Sequence, residues 1–432
     1  MLVRTWQRLV IGLVFLITVN NALALLSYAN QRINQIDSSA DLSPLISVAG
    51  QYPLVLLGEA SHGTQEFYQL RAEMSQRLIE NHNYRLVAIE APWNFVLKLN
   101  DYVKTKSTAG LSAQDLLREF DHWPQWMWRN QPTAAFIEWL KQHNQSLPEG
   151  QKVGFFGLDL YAPEEAMTGL LAFVSRYMPE AYAQTKSQLS CFQDAQYEQW
   201  SEAVENQDFS CTQQLYTLFN WITQLNQYQG GGDFDLFVAE QNARVIYAAE
   251  LFYRFNHHNQ TRSWNVRSLH MWHTLLALIK YHSPQTKALV WAHNTHIGDV
   301  RATPSAYAPG SITLGYLAKQ QPTTFNVGFS THSGTVIASD VWGNPSQELL
   351  LPEAQVGSYE HLFSRAQISK FYWIFNDQDR QYPPLNQAAP HRAIGVVYNP
   401  EDESKNYLPS ALPHRYDALI FIKKPRALST LD

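Results

Sequence analysis

Two pairs of ionisable residues share one spacing: Glu59 and His62 in LLGEASHGT, and His293 and His296 in VWAHNTHIGDV. A carboxylate beside an imidazole suits proton transfer, because the anion fixes the ring's tautomer and leaves the other nitrogen as the base. Two chemistries follow. In one, His62, held by Glu59, takes a proton from water while Arg71 or His293 steadies the oxyanion that develops at an ester carbonyl. In the other, three of His62, His293, His296 and Glu90 hold a metal ion that activates the water. Each histidine taken alone also suits a core position bonded to backbone carbonyls. It is the recurrence of ionisable residues at several strand ends that points to a site.

The elements that must position them follow one grammar. Leu54 to Leu57 precedes Gly58-Glu59, Leu86 to Ile89 precedes Glu90, Val153 to Phe156 leads to Asp159, and Ala288 to Trp291 precedes Ala292-His293. Each is a continuous apolar run, as expected of a strand buried on both faces of a parallel sheet. Helical patterns lie between them, at Phe67 to Glu80, Gln114 to Phe120 and Thr133 to Gln142. Phe325 to Phe329, Thr335 to Ser339, Ala393 to Tyr398 and Ala418 to Ile422 complete the strand expectations. The fold class is α/β, with a mostly parallel central sheet and flanking helices. In such sheets ligands sit outside the strand carboxyl ends, so Glu59, His62, Glu90, Asp159 and His293 are expected to converge there. Arg71 falls within the apolar stripe of Phe67, Leu70, Met74 and Leu78. A buried guanidinium is costly unless it meets carboxylates, so it is expected to reach Glu59 or Glu90.

Residues 163–280 are polar, aromatic and helical in pattern, and read as an insertion capping the crevice. They hold both cysteines, Cys191 and Cys211. At the N-terminus, Arg4 and Arg8 precede the apolar run Leu9 to Val19 and the small-x-small pattern Ala22-Leu23-Ala24. Residues 1–24 thus read as a signal peptide, with a second acceptable cut after Ala29. Its removal takes two arginines and no acid, moving the formal charge from -6 to -8. The expected location is periplasmic or secreted, where a Cys191–Cys211 disulfide is favoured. The acidic balance, without a basic run, excludes a nucleic-acid footprint and a polybasic membrane patch. No membrane contact is expected beyond the export signal. The main domain is expected over residues 45–428.

Other candidates are weaker. Gly-x-Ser-x-Gly is absent, so a serine hydrolase elbow is not supported. Trp123, Trp126 and Trp128 form a cluster able to hold an apolar ligand, and Arg129 beside them could pair with a crevice carboxylate. His270 and His273, on a helical run with Trp272, read as packing.

Taken together, LLGEASHGTQEFYQLRAEM, VAIEAPW, FDHWPQWMWRNQP, VGFFGLDLY, WNVRSLHM and VWAHNTHIGDVRAT resemble, in order and spacing, the motifs of the erythromycin esterase family. GFSTHSGTVIASDVWG, GSYEHLF, RAIGVVYNP and LPHRYDALIFI resemble its C-terminal half, so the likeness spans residues 51–428. The resemblance implies an α/β core with a helical insertion, and hydrolysis of an ester or lactone, a macrolide in the founding members, with no cofactor and no required metal. It puts the general base on His62, carboxylates on Glu59 and Glu90, the arginine on Arg71 and the late histidines on His293 and His296. Ser268 departs from the pattern, since many relatives carry an aspartate after the arginine of WNxR. The expected substrate-binding set is His296, Trp126, Arg129 and Asp159, and the expected partner is a small-molecule ester or lactone. The alternatives at the same residues are a metal-assisted hydrolase and a non-catalytic binding or envelope polysaccharide-associated protein.

Overall fold

The apolar runs become strands whose alternate side chains feed two hydrophobic layers. The computed structural model describes residues 23–105, 110–193, 199–207, 211–321 and 323–431. In chain order the strands are β1 (Asn34–Gln35), β2 (Leu54–Leu57), β3 (Tyr84–Pro92), β4 (Gly154–Asp159), β5 (Lys287–Trp291), β6 (Thr324–Thr331), β7 (Gly334–Ala338), β8 (Gln347–Leu351), β9 (Lys370–Ile374), β10 (Ala389–Arg392), β11 (Tyr407–Ser410) and β12 (Ala418–Ile422). Eight form one sheet in the order β1-β9-β12-β6-β2-β5-β3-β4. Pairing is parallel from β12 through to β4, and antiparallel where β9 and β1 close one edge.

The pleat sorts the core. Leu54, Leu56, Leu86, Ala88, Ala288 and Val290 face one layer. Val55, Leu57, Val87, Ile89, Leu289 and Trp291 face the other. The second layer is covered by helices Gln65–His82, Trp93–Val103 and Gln131–Gln145 through Leu70, Met74, Val96, Leu99, Phe136 and Leu140. The first is covered by the insertion, through residues such as Leu170, Leu215, Ile222 and Phe237. Each large apolar side chain fully buried here contributes about 1.5–3 kcal/mol. Both faces are therefore dry, as a parallel sheet requires.

The described residues of the insertion form helices joined by short turns: Pro163–Tyr177, Tyr182–Gln193, Trp200–Gln207, Thr212–Tyr228, Phe234–Phe255 and Gln260–His282. A disulfide joins Cys191 to Cys211, with Cα atoms 5.9 Å apart. Besides reaching the strand ends, the insertion supplies much of the first hydrophobic layer, to which Leu25, Leu314, Tyr359 and Phe363 also contribute.

One strand expectation is met outside the main sheet and one needs correction. Thr335 to Ser339 is extended, but as β7 it pairs with β8 in a separate hairpin. Ala393 to Tyr398 makes isolated bridges instead of a ladder, and the ladder lies just upstream in β10. The reason is its position between two other backbones: Ile394 donates to the Ala60 carbonyl at 2.8 Å, and Tyr398 to the Ser339 carbonyl at 2.8 Å.

The fold also extends outside residues 45–428. Residues 23–30 are helical, with Leu25 and Ala29 buried. Tyr28 donates to Asp379 at 3.0 Å and stacks on Tyr382 at 3.9 Å. At the other end Leu431 N donates to the Arg129 carbonyl at 2.8 Å. Residues 1–22, which carry most of the signal-peptide pattern, lie outside the described residues. Among the described residues no helix is long and apolar enough to cross a membrane.

Candidate active site

β2 ends at Leu57, and two glycines shape the turn that follows. A Cβ on Gly58 would lie 2.2 Å from Asn294 Oδ1, and one on Gly63 would lie 1.8 Å from the Ile337 carbonyl oxygen. A side chain at either place would push the turn off its neighbours. Between them Glu59 is fully buried, and His62 Nδ1 lies 2.9 Å from its Oε1. Since a carboxylate only accepts, Nδ1 carries the proton and donates it, which leaves Nε2 deprotonated in the neutral ring. Among the described residues Nε2 has no protein partner, and His62 faces the cavity described below. The other oxygen of Glu59 lies 2.8 Å from Arg71 Nη2, an ion pair whose N–H directions are poorly aligned for a hydrogen bond. Arg71 is fully buried, with its guanidinium carbon 4.3 Å from the Tyr68 ring centre and 5.2 Å from that of Trp291.

The sheet order places β5, β3 and β4 beside β2, so their carboxyl ends bring the next residues into a row. Glu90 Oε2 accepts from the His293 backbone N–H at 2.8 Å, and its Oε1 accepts from Arg267 Nη2 at 2.7 Å. Asp159 accepts from Arg267 Nε at 3.0 Å and also from Nη2. Arg267 Nη1 lies 3.0 Å from His296 Nε2, which is 3.2 Å from Glu90 Oε1. His296 stacks on Trp264 at 4.6 Å. Burial works to raise the Glu90 pKa, but the His296 and Arg267 charges outweigh it and hold the carboxyl well below the usual range. Arg267 stands well above its ordinary value: burial opposes this, and the Asp159 and Glu90 charges prevail. The His293 ring is 4.7 Å from that of His62. Its Nδ1 accepts from the Thr295 N–H at 3.3 Å, which puts the proton on Nε2. Burial, reinforced by His62, pushes its pKa well down, so His293 is an uncharged ring.

These groups line a cavity of about 290 Å³. His62, Glu90, Asp159, Arg267, His293 and His296 form one wall, and Phe120, Trp123, Trp128, Tyr161 and Trp342 supply apolar faces. Glu59 lies directly behind His62. A larger hollow of about 570 Å³ around Asp299, Lys319 and Asp417 lies near the amino ends of β6 and β12 and shares none of these residues.

Three expected placements are corrected. Arg71 does not reach the cavity: it approaches Glu59 from the core side, where it fixes the carboxylate but cannot meet an oxyanion. Trp126 is buried in the core by the tight turn Gln125–Met127, which presents Trp128 instead. Arg129 is off the cavity wall and makes no ion pair with Glu59, Glu90 or Asp159. That pairing belongs to Arg267, which the residue-level reading passed over. The signal was present, since Arg267 shares a helical stripe with Met271, Leu275 and Leu278, as Arg71 does with Leu70 and Met74. Ser268, the departure from the family pattern, faces away and donates to the Ile312 carbonyl at 3.1 Å. Among the described residues no group of three or more His, Cys, Asp or Glu is arranged to hold a metal ion. Both Glu90 oxygens already accept from protein donors.

The family model for erythromycin esterase matches residues 79–425. The chain belongs to the erythromycin esterase family. The match takes in Glu90, Asp159, Arg267, His293 and His296, and begins after Glu59 and His62. Membership supports a hydrolase of the esterase kind with a small-molecule substrate. Among solved structures, this family member is similar to a succinoglycan biosynthesis protein (17% identity, 94% of this chain and 98% of that one, TM-score 0.77). It is similar to a Bacillus cereus protein (18%, 95% and 99%, TM-score 0.78). It is also similar to a mutant of the erythromycin esterase EreC in its open conformation (15%, 93% and 99%, TM-score 0.64). At these identities the likeness shows the fold, which is α/β with a mostly parallel eight-stranded sheet.

Proposed function

We propose that this protein hydrolyses a carboxylic ester or lactone with a water molecule activated by His62. The observation that carries the reading is the Glu59–His62 hydrogen bond, which leaves Nε2 free at the cavity. His62 Nε2 takes a proton from water as the oxygen attacks the carbonyl carbon. The resulting oxyanion is met by Arg267, whose Nη1 is bonded to neither Glu90 nor Asp159. The carbon–oxygen bond to the alcohol then breaks, and the proton on His62 passes to the leaving alkoxide. Arg71 and Glu59 act through His62 as positioning residues, in the way a third group orients a catalytic base. Neutral His293 packs beside His62 without adding a charge that would oppose its protonation.

The test is a panel of macrolides, aryl esters and acylated glycans offered to the purified mature chain and to His62→Ala. A substrate should be found whose turnover survives exhaustive chelation and falls by about two to four orders of magnitude in the variant, the range for a general base. Equal turnover by the two proteins would remove the mechanism. Activity lost on chelation and restored by zinc or manganese would favour metal-assisted hydrolysis instead.

A further inference from the structure

The catalytic cavity has a neighbour. A second chamber of about 640 Å³ is lined by Pro163, Glu164, Phe252, Tyr253 and Asn256 of the insertion. It shares His122, Trp123, Pro124, Tyr161 and Trp342 with the inner chamber. The shared residues are a partition built from three separate parts of the chain. Trp123 lies on the loop after helix Ala113–Arg118, and Trp342 on the loop between β7 and β8; their rings are 4.4 Å apart. Trp123 Nε1 donates to the Asn344 carbonyl at 2.9 Å, which ties the two loops together. His122 Nε2 is bonded to Glu165 Oε1, in the first turn of helix Pro163–Tyr177, and this ties the same loop to the insertion. The partition is light in construction. Trp342 is 59% exposed, and the His122 and Glu165 side chains are nearly half exposed.

We propose that Trp123 and Trp342 form a strap that screens substrates by size, with the His122–Glu165 pair as its catch. The idea rests on the esterase reading above and adds a control over what reaches His62. A small ester fits the inner chamber with the strap in place. A substrate too large for the inner chamber alone extends into the outer one, which requires the two tryptophans to part. The groups acting on His122 are Glu165 and Glu164 on the insertion and Asp121 beside it, and Lys98 acts on Glu165; Asp340, on the Trp342 loop, accepts from Asn344. Hydrogen bonding to Glu165 raises the His122 pKa in spite of burial, and the same bond lowers that of Glu165. The catch is therefore complete below the ordinary imidazole value of about 6.5. It is lost as pH rises through the raised His122 value, and again on acidification through the lowered Glu165 value.

The experiment compares the full mature chain with Glu165→Gln and Trp342→Ala. The readout is the ratio of kcat/KM for a bulky ester, the 4-nitrophenyl ester of a steroid acid, to that for 4-nitrophenyl acetate. The ratio should rise about two- to fivefold in Glu165→Gln, the reach of a half-exposed ion pair. It should rise up to about tenfold in Trp342→Ala, the scale of an aromatic contact. In the wild type it should climb between pH 6 and 9, and in Glu165→Gln that climb should flatten. Hydrogen–deuterium exchange, which needs no substrate, should quicken together over residues 121–127 and 340–346 in both variants. A ratio that stays constant across variants and pH, or exchange that changes only next to the substituted residue, overturns the strap. If neither ester is hydrolysed, the esterase reading fails for these substrates. The association rate of the free steroid acid, followed by tryptophan fluorescence, then decides the strap: equal rates in all three proteins overturn it.

Discussion

Arg267→Met removes the guanidinium that faces two buried carboxylates, Asp159 at 2% exposure and Glu90 at 5%. Taking one partner from a buried ion pair costs about 3–5 kcal/mol, because the remaining charge stays desolvated. An unfolding entropy of about 2.1 cal/mol/K per residue gives roughly 0.9 kcal/mol/K for 432 residues. The melting temperature should therefore fall by about 3–6 °C at pH 7. Arg301→Met is the control: its guanidinium, 60% exposed, pairs with Asp299, and its loss should cost no more than about 1 kcal/mol, or about 1 °C. The sign with pH follows from Glu90. Its folded-state pKa is depressed, so its contribution is present above the unfolded value of about 4.3 and is lost as pH falls through the folded one. Arg267 supplies part of that depression, so the gap between wild type and variant should narrow below about pH 4. Thermal unfolding of both variants, followed by circular dichroism at pH 7 and in steps down to pH 3, measures it. A loss no larger than that of Arg301→Met, or a gap independent of pH, would refute the claim that Arg267 holds two ionised carboxylates at the cavity.

Arg71→Ala leaves Glu59 buried with His62 as its remaining partner, so it should destabilise the chain by about 3–5 kcal/mol. Activity should fall steeply and recover little in Arg71→Lys, whose point charge does not reproduce a planar guanidinium packed between two rings; full rescue by lysine would contradict the positioning role. Replacing Cys191 and Cys211 by serine should lower stability by about 3 kcal/mol in urea unfolding. Free thiols titrated in the non-reduced wild type would argue against the bond. On export the mature N-terminus should be Leu25, since a cut after Ala29 would strip Leu25 and Tyr28 from their packed positions. N-terminal sequencing of the exported chain decides this, and an N-terminus at Asn30 or an intact Met1 would count against it.

The sequence by itself determined the parts of the site that are local. Glu59 and His62 are three residues apart on a turn that a strand must end on, so their contact needs no long-range information. Glu90, Asp159 and His293 were legible because a parallel sheet puts the residue after each apolar run at the same edge. Arg71 was legible as buried, because a charge within an apolar stripe demands a partner. The tertiary structure decided what depends on direction and on distant neighbours. Helix Gln65–His82 packs beneath the sheet edge, so Arg71 meets Glu59 from the core side and never sees substrate. Arg267 is 108 residues from Asp159 in sequence, and their pairing exists because the insertion's last helix packs against β4 on its way back into β5. Among the clustered tryptophans a single tight turn chose Trp123 and Trp128 for the cavity and sent Trp126 into the core. Periodicity gives a residue's face relative to its own element; which element that face meets is fixed by sheet order and helix packing, which are properties of the whole chain.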